Sequence, residues 1–228
     1  MATLELDLAE EAVSQPARKG KRLGVLFWAA IVWMIFVFAV AIFATVLPIA
    51  DPNAMDMLEK RASFSAAHWL GTDAQGRDLL SAILYGLRIS IQVGLAAGAI
   101  AFAIGATLGA TAAYVGGRLE ALIMRIVDLQ LSFPAILLAL VLAAILGQGK
   151  WQLIAALVTA QYAYFARTAH GAAASERAKD YVDAALSVPL SPSRVVFRHI
   201  LPNCLPPLIV VATVQVATSI ALDATPSF

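Results

Sequence analysis

Few side chains in this sequence have the types and spacing that chemistry requires. There are three histidines, His68, His170 and His199, and one cysteine, Cys204. A metal site needs several nitrogen, sulfur or carboxylate ligands converging on one ion. The histidines are far apart in the chain, and the topology derived below sets them on both sides of a membrane. A lone cysteine forms no internal disulfide and suggests no metal site. A phosphate-cradling loop needs Gly-x4-Gly-Lys-Ser/Thr, and Gly147-Gln148-Gly149-Lys150 has the wrong spacing. No convergent Ser/His or paired Asp is evident. The expectation is a chain with no catalytic residue, no metal and no cofactor of its own, and therefore not an enzyme.

The elements that carry these residues are set by composition. Of 228 residues (24.1 kDa), 61% are apolar and 14% charged, with a mean hydropathy of +0.80. A soluble domain has roughly 45–50% apolar residues and about a quarter charged. That much apolar surface cannot be hidden in a soluble fold of this size, so an integral membrane protein is expected. Disorder and disulfide scaffolds fit poorly, and a net charge of +1 gives no general attraction to nucleic acid.

A charge at the bilayer centre costs about 2.5–3.5 kcal/mol or more, so spans show as long uncharged intervals. There are 28 such residues between Arg22 and Asp51 and 29 between Arg88 and Arg118. Another 21 lie between Asp128 and Lys150, 16 between Lys150 and Arg167, and 24 between Arg198 and Asp223. About 20 helical residues cross a hydrocarbon core. The 16-residue interval is marginal, and extends if Arg167 snorkels to the interface. Backbone satisfaction in lipid requires helices. An all-α integral membrane fold with five spans is predicted. A cytoplasmic basic tail (1–22) precedes a first helix and external loop (23–88). A core (89–228) then has helices at about 90–115, 122–147, 151–169 and 204–222 and a cytoplasmic loop at 170–203. The first apolar stretch, Leu23–Leu47, is too long for a cleaved signal and reads as a retained anchor. Arg18, Lys19, Lys21 and Arg22 place the N-terminus in the cytoplasm. Alternating spans then put ten Lys/Arg inside and five outside.

Gly94-x3-Gly98 and Gly105-x3-Gly109 align small residues on one face of the second span. Either they admit a neighbouring helix closely or the span is simply rich in Ala and Gly. Arg125 and Asp128 share a face and can pair with each other or with a neighbour. Pro134 should kink the third span or mark its entry into the membrane. No titratable relay falls mid-span, so the energy source of any transport lies elsewhere.

The 167–203 stretch is patterned as helix rather than loop. Ala178, Tyr181, Val182, Ala185 and Leu186 recur at spacings of three and four. Pro189 ends that helix. Ser191 and Pro192 then open a second short helix, which Pro202 stops. Two amphipathic helices projecting into the cytoplasm imply something that docks there, the alternative being a solvated connector.

These residues resemble a known family. Tyr181-Val182-Asp183-Ala184-Ala185, with Arg198-His199-Ile200-Leu201-Pro202-Asn203, is similar to the EAA loop of permease subunits in binding-protein-dependent ABC importers. Counted from Asp183, Leu201 and Pro202 fall in register. The string Leu70-Gly71-Thr72-Asp73-Ala74-Gln75-Gly76-Arg77-Asp78 and the stretch from Met124-Arg125 to Ser132-Phe133-Pro134 resemble the dipeptide/oligopeptide/nickel branch, second-permease type. Asp183 stands where the pattern has Glu, Pro189 where it has Gly, and His199 where it has Ile. Leu222–Phe228 resembles a stretch after which family members continue through a sixth span.

The resemblance implies a permease subunit moving peptides or a related small solute, nickel among them, across the inner (plasma) membrane. Its partners would be a homologous permease, two cytoplasmic ATPase subunits, an external solute-binding protein and membrane lipid, with no nucleic acid. Asp183, Ala184, Ala185, Pro189, Leu201 and Pro202 would dock the ATPase. Gly71, Thr72, Asp73, Gly76, Arg77 and Asp78 form the external-loop motif, either a contact surface for the binding protein or a structural turn; the second is preferred. The competing reading is a truncated, non-transporting membrane scaffold or assembly subunit.

Overall fold

The computed structural model describes residues 24–44, 51, 54–56, 58–147, 149–182 and 190–223. The chain divides into two units, Met1–Val40 and Ala41–Phe228. Helix α1 (Val25–Phe43) has nineteen residues without charge, Gly or Pro and a mean hydropathy of 2.8. At 1.5 Å per residue it is about 28 Å long, and its apolar side chains surround the whole circumference, as a lipid-facing helix requires.

In the second unit, α2 (Leu79–Val115) runs for 37 residues. It starts well before the expected position near 90. Asp78 caps it, and Arg88 is carried on the helix rather than on the external loop. Gly116 and Gly117, both at positive φ, turn the chain into α3 (Gly117–Leu131). Helix α4 (Ala135–Leu146) follows after a bend of 89°. The single expected span at 122–147 is thus broken at Pro134, which has no N–H to continue the ladder. Ser132 Oγ donates back to the Asp128 carbonyl at 2.8 Å on the α3 side of the break.

Helix α5 (Lys150–Arg177) has 28 residues and runs past the expected end at 169. Arg167 lies inside it, paired with Asp128 of α3. Helix α6 (Pro192–Val195), a π turn (Val196–Ile200), a 3-10 turn (Leu201–Cys204) and α7 (Leu205–Asp223) form one helical run. Pro202 was expected to stop it and does not. The missing N–H is absorbed by a register change, with the Leu201 N–H bonding Val196 O five residues back. Cys204 Sγ and Asn203 Nδ2 then serve the Ile200 and His199 carbonyls, at 3.3 and 2.6 Å. Side-chain repair of this kind is how prolines are tolerated in membrane helices.

Among the described residues, α1, α2 and the Pro192–Ala221 run are long and apolar enough to cross a membrane, and α3–α4 counts as a fourth if the bent pair is one span. Helix α5 is long enough but more polar. It packs against α2, α3, α4 and α7 and is the centre of the bundle. Its interfaces are built largely from alanine: Ala106, Ala110 and Ala113 of α2 lie in one cluster with Phe165, Ala169 and Ala173 of α5. Lipid is as apolar as the core, so close contact rather than exclusion from water holds such helices together.

Candidate docking elbow and outer turn

The elbow side of the bundle is assembled where α2, α5 and the π turn meet. Arg177, the last residue of α5, donates from a guanidinium nitrogen to Ala113 O of α2 at 2.9 Å. On the same end, His170 Nε2 lies 2.6 Å from Glu120 Oε1 of α3. After α5 the chain turns at Ala178–Lys179 and resumes a helical turn at 180–182. Lys179 Nζ donates to Glu176 Oε1 at 2.6 Å, and Tyr181 Oη donates to Glu176 Oε2 at 2.7 Å. Burial first, and then the Glu176 carboxylate, push the Tyr181 phenol above its ordinary pKa. Val182 is fully buried in the cluster that holds Val195, Val196, Ile200, Cys204 and Leu208, and Leu190 packs against the same cluster. Both flanks of 183–189 are therefore anchored in one core. Asp183, Ala184, Ala185 and Pro189 lie outside the described residues. Leu201 is half-buried against that cluster, and Pro202 is exposed on the 3-10 turn. Ser191 takes the N-cap position with Pro192 at the first helical turn, but its hydroxyl makes no capping bond.

Sequence reasoning took Asn203 only as the end of a motif. In the fold its amide donates to His199 O at 2.6 Å and to Tyr181 Oη at 3.0 Å. Asn203 and Glu176 are 27 residues apart, so no local pattern in the chain reveals the link.

The outer turn is built by residues close in sequence. Thr72 and Asp78 form an isolated antiparallel bridge. Gly71 and Gly76 sit at φ of +75° and +78°, and a Cβ at either would strike the carbonyl oxygen of Ala62 or Asp56. Only glycine fits on both counts. Asp73 Oδ1 accepts from the N–H groups of Gln75 (2.7 Å) and Arg77 (2.9 Å). Those donors, Arg77 first, hold the Asp73 carboxyl below its usual pKa. Thr72 Oγ1 accepts from Ala62 N–H and donates to Glu59 O. Asp78 Oδ2 takes Ser81 N–H and Oγ, while Oδ1 lies 3.0 Å from His68 Nδ1. Burial opposes ionisation of Asp78, but the Ser81 amide, His68 and the Ser81 hydroxyl outweigh it and depress the pKa. His68 Nε2 also meets Glu59 Oε2 at 2.6 Å, and hydrogen bonds to the two carboxylates, Asp78 foremost, raise its pKa above 6.5. Arg77 Nε is buried with no hydrogen-bond partner among the described residues.

Between these ends lie the glycines of α2. A Cβ at Gly105 would fall 2.6 Å from Phe165 Cβ, and one at Gly109 would fall 2.8 Å from His170 N. At Gly94 and Gly98 the obstacles are the Ile220 and Val216 side chains of α7, each at 2.8 Å. A buried polar pair joins α5 to α7, with Gln161 Nε2 donating to Ser219 Oγ at 2.7 Å and Ser219 Oγ lying 3.0 Å from Gln161 Oε1. No group of three or more His, Cys, Asp or Glu able to hold a metal occurs among the described residues.

The described residues thus form a helical bundle with apolar, membrane-length helices and a hydrogen-bonded turn before the start of α2. Residues 105–228 match the family described as the inner membrane component of binding-protein-dependent transport systems. The chain is 40% identical over 210 residues, 92% of its length and 70% of the relative's, to the probable D,D-dipeptide transport system permease protein DdpC of Escherichia coli (strain K12). It is 38% identical to the dipeptide transport system permease protein DppC of Alkalihalophilus pseudofirmus, over 79% of this chain and 60% of that one. With the glutathione transport system permease protein GsiD of Pectobacterium atrosepticum it shares 35% identity over 88% of this chain and 67% of the other. The chain belongs to this family of inner membrane transport components, as its motifs implied, and is a multi-pass membrane permease subunit. It spans 60–70% of the length of these relatives.

Proposed function

We propose that the chain is one half of the translocation pore of an ABC importer for small peptides. It pairs with a homologous permease and is driven by two cytoplasmic ATPase subunits fed by an external peptide-binding protein. The substrate class follows relatives whose names specify D,D-dipeptide, dipeptide and glutathione transport. In this reading the N-terminus is cytoplasmic. Five crossings are made by α1, α2, the α3–α4 pair, α5 and α6–α7, with α5 sheltered among its neighbours. The elbow at 183–189 seats in a groove of the ATPase. Asp183 makes a charge-assisted contact at the rim, Ala184 and Ala185 permit close approach, and Pro189, Leu201 and Pro202 set the return path. When the ATPase pair closes, the elbow is displaced and the bundle rocks between inward- and outward-facing states. The outer turn acts as a rigid cap on α2.

The observation that carries the reading is the anchoring of both elbow flanks, Val182 and Leu190, in one core with the π turn. A force applied to the elbow is thereby delivered to α5 and α7 together. The test is Asp183→Lys with Ala185→Trp in the co-expressed complex. The expected result is loss of ATPase co-purification and of peptide uptake, with the permease pair still in the membrane. Undiminished co-purification and uptake would remove the docking role.

A further inference from the structure

We propose that Glu176, Tyr181 and Asn203 form a hydrogen-bonded latch that holds the end of α5 and the π turn as one body, so that displacement of the elbow is transmitted rather than absorbed. The proposal rests on the docking reading above and assigns positioning residues that it does not name.

The chain of donors runs in one direction. The Asn203 amide donates to Tyr181 Oη at 3.0 Å, and Tyr181 Oη donates to Glu176 Oε2 at 2.7 Å. Lys179 holds the other carboxylate oxygen at 2.6 Å. Repair of the helix beside Pro202 needs only one Asn203 N–H, the one on His199 O at 2.6 Å. The second N–H is not needed by its own helix and crosses to a residue 22 positions earlier. A phenol is well suited to relay this bond, since its hydroxyl donates and accepts at once. The terminal acceptor is a carboxylate, which makes the last link a charge-assisted bond of roughly twice the ordinary strength.

Placement gives the latch its leverage. Tyr181 immediately precedes the buried Val182, and Asn203 immediately precedes the buried Cys204, both in the same cluster. On the α5 side, Arg177 extends the tie to α2 through Ala113 O. Asn203 stands on the 3-10 turn between the π turn and α7, and the π turn, a local register shift, is the segment the latch ties to α5. With the latch closed, the π turn follows α5. Without it, the turn can yield while the elbow moves.

The test uses the complete complex in proteoliposomes with peptide-loaded binding protein, reading peptide transported per ATP hydrolysed. Tyr181→Phe keeps the ring and removes the hydroxyl's hydrogen bonds to Glu176 and Asn203 and its longer contact with His199 O. Transport per ATP should fall by about three- to tenfold, the factor a single net hydrogen bond can supply. ATPase co-purification and the melting temperature should stay at wild-type values. Asn203→Ala, which also removes the bond to His199 O, should lose at least as much, and the double variant no more than Asn203→Ala alone, because the two act through one chain. Glu176→Gln retains an acceptor for the phenol and should restore most of the ratio that Glu176→Ala loses. An unchanged ratio in Tyr181→Phe overturns the proposal. So does a loss that tracks ATPase dissociation or lowered thermal stability, or losses that multiply in the double variant. A wild-type complex that neither retains ATPase nor transports peptide would instead overturn the functional reading beneath it.

Discussion

The outer turn and the elbow junction are both polar, both sit at helix ends, and are wired in opposite ways. From Asp56 to Ser81 the outer turn closes on itself, with its hydrogen bonds joining residues no more than 20 apart. The junction draws on Ala113, Arg177, Tyr181 and Asn203, and the bonds that tie α5 to α2 and to the 3-10 turn span 22 to 64 residues. A self-closed turn holds its shape while the helices around it shift. A junction made of contributions from several helices holds its shape only while those helices keep their relation. The first is suited to a fixed cap and the second to a point where motion is passed on.

The largest effect is expected just beneath the junction. Gly109→Leu would drive a side chain into the backbone of α5 at Ala166 and His170, which no rotamer change relieves. It should lower stability by about 3 kcal/mol or more, the upper end for over-packing, in a detergent melt of the complex. Gly98→Ala meets a single side-chain atom, Val216 Cγ2 at 2.8 Å, rather than backbone, and should cost about 1 kcal/mol on the same scale. Equal effects at the two sites would mean that the close approach of α2 and α5 is not what holds this end.

A smaller effect distinguishes the outer turn. His68 bridges Asp78 and Glu59, and its pKa in the fold lies above the ordinary 6.5. A group whose folded pKa is raised stabilises fully below its unfolded pKa, and that contribution is lost as pH rises through the folded value. Amide exchange in 59–81 should therefore quicken as pH is raised from below 6.5 to beyond the folded pKa, after correction for intrinsic rates. His68→Gln should abolish the step. Exchange around 176–203 should show no such His68-dependent step. A step of equal size there would join the two regions that the structure keeps apart.

The same division explains what could be read from the chain. Asp73 and Asp78 in the Leu70–Ser81 string were legible because they act on backbone within a few residues, and Pro134 because a missing N–H is a local fact; that Gly71 and Gly76 meet Ala62 and Asp56 was not. Charge spacing located the apolar runs but misjudged their ends. It took Arg88 as a boundary and let the span after Lys150 end at 169, whereas α2 starts at Leu79 and α5 runs on to Arg177, with Arg167 paired to Asp128. Pro202 read as a stop because the sequence does not display the π turn or the Asn203 and Cys204 side chains that repair the ladder. The Gly94–Gly109 spacing announced a small-residue face without saying that α7 meets its first half and α5 its second. Tyr181, with Glu176 and Asn203, was seen only as helical periodicity and motif. Their link exists only once α5 and α7 are side by side.

The central claim is that the elbow between α5 and α6 engages a motor. A photo-crosslinking residue at Leu186, in membranes carrying the whole transporter, tests it most directly. The expected result is a crosslink to the ATPase subunit that is formed in the wild-type background and lost with Asp183→Lys and Ala185→Trp. Crosslinks to lipid alone, with the ATPase present in the same membranes, would contradict the account.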